Sequence, residues 1–168
     1  MKKQFFSNEK DGFYGTYYEN PKGANCTMIG LFGDDPNDFM AKCGAKWLHK
    51  NGVNVMCMSP DVKNYGHVNF PLERIETAIK WLKSHGNKKI GIMGMSTAGM
   101  DSLVAASYFP DITLSVLRQA TLYGRALSRA KKTAARNGLS LTLPHFHGRA
   151  SRLPICRSFM PTLNTITK

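Results

Sequence analysis

Apolar runs alternate with segments whose apolar residues recur every three or four positions. Gln4 to Phe6 and Phe13 to Tyr18 are short aromatic stretches around a polar Asp11-Gly12 turn, the pattern of a β-hairpin. Cys26 to Phe32 predicts a buried strand ending at Gly33. Asp34-Asp35-Pro36 predicts a helix start, with a carboxylate at the cap and Pro in the first turn, where its missing N–H does no harm. Phe39, Met40, Cys43, Trp47 and Leu48 would form its apolar face, and Gly52 would close it. The alternation then repeats. Val53 to Met58, Lys89 to Met93 and Ile112 to Val116 are expected as strands. Pro71 to His85, stopped by Gly86, and Thr97 to Tyr108 are expected as helices.

Continuously apolar strands separated by amphipathic helices are buried on both faces and joined by right-handed crossovers. The expected architecture is therefore α/β, a three-layer αβα sandwich with a mostly parallel sheet and an amino-terminal β-hairpin. Reactive groups in such sheets gather at the carboxyl ends of the strands, which directs attention to the loops beginning at Gly33, Ser59 and Gly94.

The third of these loops carries the clearest chemistry. Ile90-Gly-Ile-Met-Gly-Met-Ser96-Thr-Ala-Gly99 has the form of a nucleophile elbow. A serine hydroxyl reaches an acyl carbon only if a sharp strand-to-helix turn holds it out of the sheet. That turn brings the residues two before and two after Ser96 together, and both are small, Gly94 and Ala98. The Thr97 amide, at the positive end of the next helix, would face a developing oxyanion. A second donor is expected from Gly33 and Asp34. An ordinary glycine-rich turn between strand and helix is the competing reading.

Residues 23–116 resemble the catalytic domain of the α/β-hydrolase superfamily, most closely the carboxyl-terminal domain shared by acyl-CoA thioester hydrolases and bile acid-CoA:amino acid N-acyltransferases. Dienelactone hydrolases are neighbours. The matching pieces are Met28 to Asp35, Trp47 to Val55, Ile75 to Leu82 and the elbow Ile90 to Gly99. The resemblance implies Ser96 as nucleophile, the Thr97 amide in the oxyanion hole, and an acyl ester or acyl-CoA thioester as substrate, without metal or cofactor. Ala98 stands where the family commonly has Gly, and the amino-terminal β-sandwich of the larger thioesterases is lacking. The superfamily's triad runs in the order Ser, acid, His, yet no acid follows Asp111. Asp101, on the helix after the elbow, and Asp111, at the amino end of a strand, are expected as solvated surface charges. His145 and His147 follow Leu139 to Leu143, whose alternation fits a strand; His145 is the candidate base, against the alternative that both are chance occupants of a tail. His49 and His85 fall near helix ends, where bonds to terminal carbonyls are expected. His67 lies in the loop after the second strand of the α/β run, with no assigned role.

Charge changes the picture at Val116. Residues 1–116 carry 13 Lys and Arg against 11 acids; the remaining 52 carry ten bases and no acid. One of the first 13 bases is arginine (Arg74), against seven of the last ten. Two domains of composition follow: an incomplete hydrolase core over 1–116, and a basic tail over 117–168, irregular or partly helical. Such a segment could be a solvated tail; loss of every acid together with a switch from Lys to Arg at one point also resembles a change of codon register, and on that reading the chain is truncated or frame-shifted there. A missing acid alone need not abolish acyl-enzyme formation, but loss of both triad partners would leave Ser96 unactivated. With nothing convincing after it to pair with, the strand Ile112 to Val116 is expected to have an open edge. A catalytically dead fragment, or a binding module whose tail holds nucleic acid, are the alternatives, the latter disfavoured. The four cysteines have no zinc-ligand spacing and are expected as buried thiols. The apolar runs are too short to span a bilayer, so no membrane partner and a cytoplasmic location are expected.

Overall fold

In the computed structural model, which describes residues 2–67, 69–118 and 141–142, one mixed sheet organises the chain. Its strands are β1 (Lys2–Phe6), β2 (Tyr14–Glu19), β3 (Cys26–Leu31), β4 (Asn54–Ser59), β5 (Lys89–Met95), β6 (Ile112–Arg118) and β7 (Leu141–Thr142). Their order across the sheet is β1-β2-β4-β3-β5-β6-β7. The β1–β2 hairpin joins β4 antiparallel, and every other pairing is parallel. The helices are α1 (Asn8–Asp11), α2 (Phe39–Lys50), α3 (Leu72–Ser84) and α4 (Thr97–Tyr108). The expected mostly parallel α/β architecture with an amino-terminal hairpin is what the chain adopts. The hairpin's connection is a single helical turn, α1, closed by Gly12 at φ 75°.

The two-residue alternation of the strands sorts their side chains into two cores. Ile29, Leu31, Met56, Met58, Ile90, Ile92 and Ile112 pack with α3 and the small residues Ala98, Ala105 and Ala106 of α4. Met28, Val55, Cys57 and Leu114 face the other way, against Ala41, Ala45 and Leu48 of α2. Among the described residues α2 is the only helix on that second face.

Three expectations are corrected here. Helix α2 begins at Phe39 with Asp38 at its N-cap, not at Asp34-Asp35-Pro36. Asp34 reaches the helix from a distance instead: its Oδ2 accepts the N–H groups of Met40 (2.7 Å) and Ala41 (3.3 Å). The buried face of α2 is Ala41, Ala45 and Leu48, while Phe39, Met40, Cys43 and Trp47 are exposed. The broad apolar content of this helix concealed which of two stripes meets the sheet, and the small residues do because Phe32 fills the space beside Gly44. Finally, β6 is not left without a partner, since Ser115 and Val116 pair with Leu141 and Thr142. Strand β6 also runs through the compositional break at Val116 to Arg118.

Cys57 is buried, Cys26 intermediate and Cys43 exposed, so the buried-thiol expectation fails at Cys43; Cys156 lies outside the described residues. Replacing Asp34 by Ala should lower stability by about 1 kcal/mol through loss of the α2 cap, whereas Asp34→Asn keeps an acceptor oxygen and most of that stability. Denaturant unfolding of the two variants checks the difference.

Candidate active site

Strands β3 and β5 are neighbours, with Leu31 paired to Gly94. Two residues beyond that pair lie Gly33 and Ser96, so the register brings both loops to the same carboxyl edge of the sheet. Ser96 is the N-cap of α4 and is exposed, with φ 55° and ψ −124°. That backbone conformation is sparsely populated for any residue with a Cβ and persists only where the surroundings enforce it. Here the enforcement is close packing between β5 and α4. A Cβ on Gly94 would lie 2.1 Å from the Ala98 carbonyl oxygen and 2.3 Å from Ser102 Oγ. Ser102 Oγ is itself held, donating to the Ala98 carbonyl at 2.7 Å. Strand and helix therefore approach as closely as glycine allows, and the residue between them is turned outward. Among the described residues nothing bonds Ser96 Oγ. Thr97, exposed beside it, and Ala98 are in the first helical turn, where N–H groups have no intrahelical acceptor.

The loop after β3 is clamped on three sides. Ser59 Oγ donates to the Asp34 carbonyl at 2.6 Å, Tyr18 Oη to the Pro36 carbonyl at 2.8 Å, and Asp35 Oδ2 accepts from Tyr14 Oη at 2.6 Å and Tyr65 Oη at 3.3 Å. Gly33 adopts φ 80° in open space at the mouth of this loop. The Asp34 side chain is directed to α2, which leaves only its main chain for an anion. Burial raises the Asp34 carboxyl above its usual range, opposed by the Met40 and Ala41 amides. Burial first, then the Asp35 carboxylate, pushes the Tyr14 hydroxyl far above that of a free phenol. The tyrosine clamp was not legible in the sequence, because Tyr14, Asp35 and Tyr65 come from three separate segments and share no spacing pattern.

The histidines divide by surroundings. His67 is 2% exposed, has φ 50°, stacks on Phe70, and donates from Nδ1 to the Tyr65 carbonyl at 2.6 Å. Its Nε2 has no partner among the described residues, and burial lowers its pKa, so the ring is neutral at pH 7. His85 Nδ1 bonds the Trp81 carbonyl one turn back in α3 (2.8 Å), as its place at a helix end implies. His49 instead bonds the Tyr18 carbonyl of β2 at 3.0 Å. His145 and His147 lie outside the described residues.

Asp111 is a surface charge, paired with Lys83 at 2.6 Å. Asp101 is not. It is half-buried, Oδ2 has no partner among the described residues, and burial raises its pKa from the usual 3.8 to about 6. The nearly uniform apolarity of α4 leaves little of its surface to solvent, and Asp101 shares that fate. Between pH 3.8 and about 6 the folded chain binds more protons here than the unfolded one, so this group makes stability fall as pH rises through that window. Asp101→Asn should raise stability at pH 7 by about 1 kcal/mol, partial exposure having weakened the full effect, and flatten that slope. Thermal unfolding at pH 4 and pH 7 measures both.

No family model and no curated protein matches the chain. Solved structures do. One is a cold-adapted esterase from an Arctic intertidal metagenomic library, at 18% identity over 79% of this chain and 66% of that one, with a TM-score of 0.59. Another is an esterase of Pyrococcus furiosus, at 19% identity over 78% of this chain and 59% of that one (TM-score 0.53). A third, assigned as a dienelactone hydrolase of Klebsiella pneumoniae, matches at 14% identity over 73% of this chain and 61% of that one (TM-score 0.54). The chain thus spans less than two thirds of the length of each. What is common to all of them at such identities is the arrangement of strands and helices, and on that ground this protein has an α/β-hydrolase-like fold.

Proposed function

We propose that the chain is the core of a serine hydrolase acting on acyl esters, acyl-CoA thioesters included, with Ser96 as its nucleophile. The observation that carries this reading is the Ser96 backbone, held at φ 55° and ψ −124° by the Gly94–Ala98 approach with its side chain exposed. The exposed Ser96 hydroxyl makes no capping bond to α4, and strain of this kind collects at functional sites. In the acyl-transfer step Ser96 Oγ bonds to the acyl carbon and its proton passes to a base. The carbonyl oxygen takes the negative charge, stabilised by the Thr97 amide and by main-chain donors at Gly33 and Asp34. Collapse of that adduct expels the alcohol or thiol, and water releases the acid. His145 is the candidate base.

A fluorophosphonate probe reacts at phosphorus with an activated serine hydroxyl. It should label the folded chain at Ser96, and Ser96→Ala should be unlabelled; a folded wild type that resists the probe removes the reading. The lack of any acid after Asp111 favours a second reading, in which the site is formed but turnover is slow or nil. Its cause would be a shift of reading frame near residue 117. Translating the coding DNA beyond Val116 in the other two frames decides this: a continuation with an acid after a strand and a later His supports the shift.

A further inference from the structure

The outward side of α2 is unlike that of an ordinary surface helix. Ala41, Ala45 and Leu48 face the sheet. On a helix of 3.6 residues per turn the side opposite them carries Phe39, Cys43 and Trp47, four residues apart, beside a parallel row of Lys42, Lys46 and Lys50. Phe39 is 78% exposed and Trp47 41%, and Met40 extends the apolar row at 38%. The helix contains no acid, and among the described residues none of its three lysines meets a carboxylate. A helix whose solvent side bears two aromatic residues and an unpaired row of like charge has the composition of a segment lying in a bilayer interface.

We propose that α2 is a peripheral contact for an anionic lipid surface. Phe39 and Trp47 enter the headgroup layer while the three ammonium groups meet lipid phosphates and carboxylates alongside, their stems lying along the aromatic row. A second copy of the chain fits this face poorly, because a symmetric contact sets three lysines against three. Helix α2, at 12 residues, is too short to cross a bilayer, so the contact is superficial. Helix α2 starts at the edge of the sheet that carries Gly33 and Ser96. If Ser96 acts as proposed above, the contact holds that edge beside the lipid surface; the binding itself does not depend on that reading.

Co-sedimentation of the full chain with vesicles of phosphatidylcholine and phosphatidylserine, against phosphatidylcholine alone, tests the proposal. The wild type should bind only the mixed vesicles. Lys42→Gln, Lys46→Gln and Lys50→Gln together should lower the partition coefficient about a hundredfold, and Phe39→Ser about tenfold. All four positions are exposed, and a thermal melt confirms that the variants fold. Residues 117–168 hold ten bases of their own. Binding that survives both α2 variants would therefore assign the lipid contact to that segment and overturn the proposal. So would a wild type that ignores mixed vesicles, or one whose self-association, measured by analytical ultracentrifugation, is abolished by Phe39→Ser without any vesicle binding.

Discussion

Replacing Gly94 by alanine should destabilise the chain by about 3 kcal/mol or more and abolish fluorophosphonate labelling at Ser96. The added methyl would meet the Ala98 carbonyl oxygen at 2.1 Å and Ser102 Oγ at 2.3 Å. Neither atom is the loose end of a flexible side chain. The carbonyl belongs to the first turn of α4, and the hydroxyl is tethered to that same carbonyl. Relief requires α4 to move away from β5, which opens the core where Ala98 and Ile92 pack and relaxes the turn that holds Ser96 outward. Gly33→Ala is the informative control. Its Cβ meets nothing, and only the positive φ is penalised, at about 1 kcal/mol. Thermal or urea unfolding of both variants checks the contrast. A Gly94→Ala chain as stable as Gly33→Ala would show that the close approach of strand and helix is not rigid.

The second large effect separates strain from chemistry at one position. Ser96→Ala and Ser96→Gly both remove the hydroxyl, so both should lose labelling and nearly all ester turnover, keeping only the residual rate that the oxyanion donors and substrate binding sustain. Their stabilities should part. Alanine keeps the Cβ that makes φ 55°, ψ −124° costly, whereas glycine adopts such angles freely. Allowing for the greater freedom that glycine gives the unfolded chain, Ser96→Gly should be more stable than Ser96→Ala by about 1 kcal/mol, a few degrees in Tm. Equal melting temperatures would mean that the turn stores no strain. Labelling at another serine in the Ser96→Ala chain would move the nucleophile elsewhere.

How far the site was legible follows from how local its causes are. Gly94, Ser96 and Ala98 belong to one turn, and their small sizes and spacing predict a tight strand-to-helix bend before any tertiary contact is known. The same holds for α4, found at Thr97–Tyr108 as its pattern predicts, and for Gly52 and Gly86, both at positive φ beyond helix ends. Asp34 shows the limit. Its type and place suggest a cap on the next residues, but the cap it makes spans six residues, because the loop between folds back under the hold of Ser59, Tyr18 and Tyr14. Those holds come from β2 and β4, and no local rule contains them.

The sequence by itself determined the alternation of strand and helix, the parallel sheet that alternation requires, and the bend at Ser96, since all three arise from side-chain size and polarity within a few residues. Only the tertiary structure decided which stripe of α2 is buried, that Asp101 is withdrawn from water, that Asp35 gathers two tyrosines, and that β6 has a neighbour in Leu141–Thr142. Each of these depends on which distant segment comes to lie alongside. Burial and hydrogen bonding are properties of a residue's surroundings, and only the folded chain supplies those.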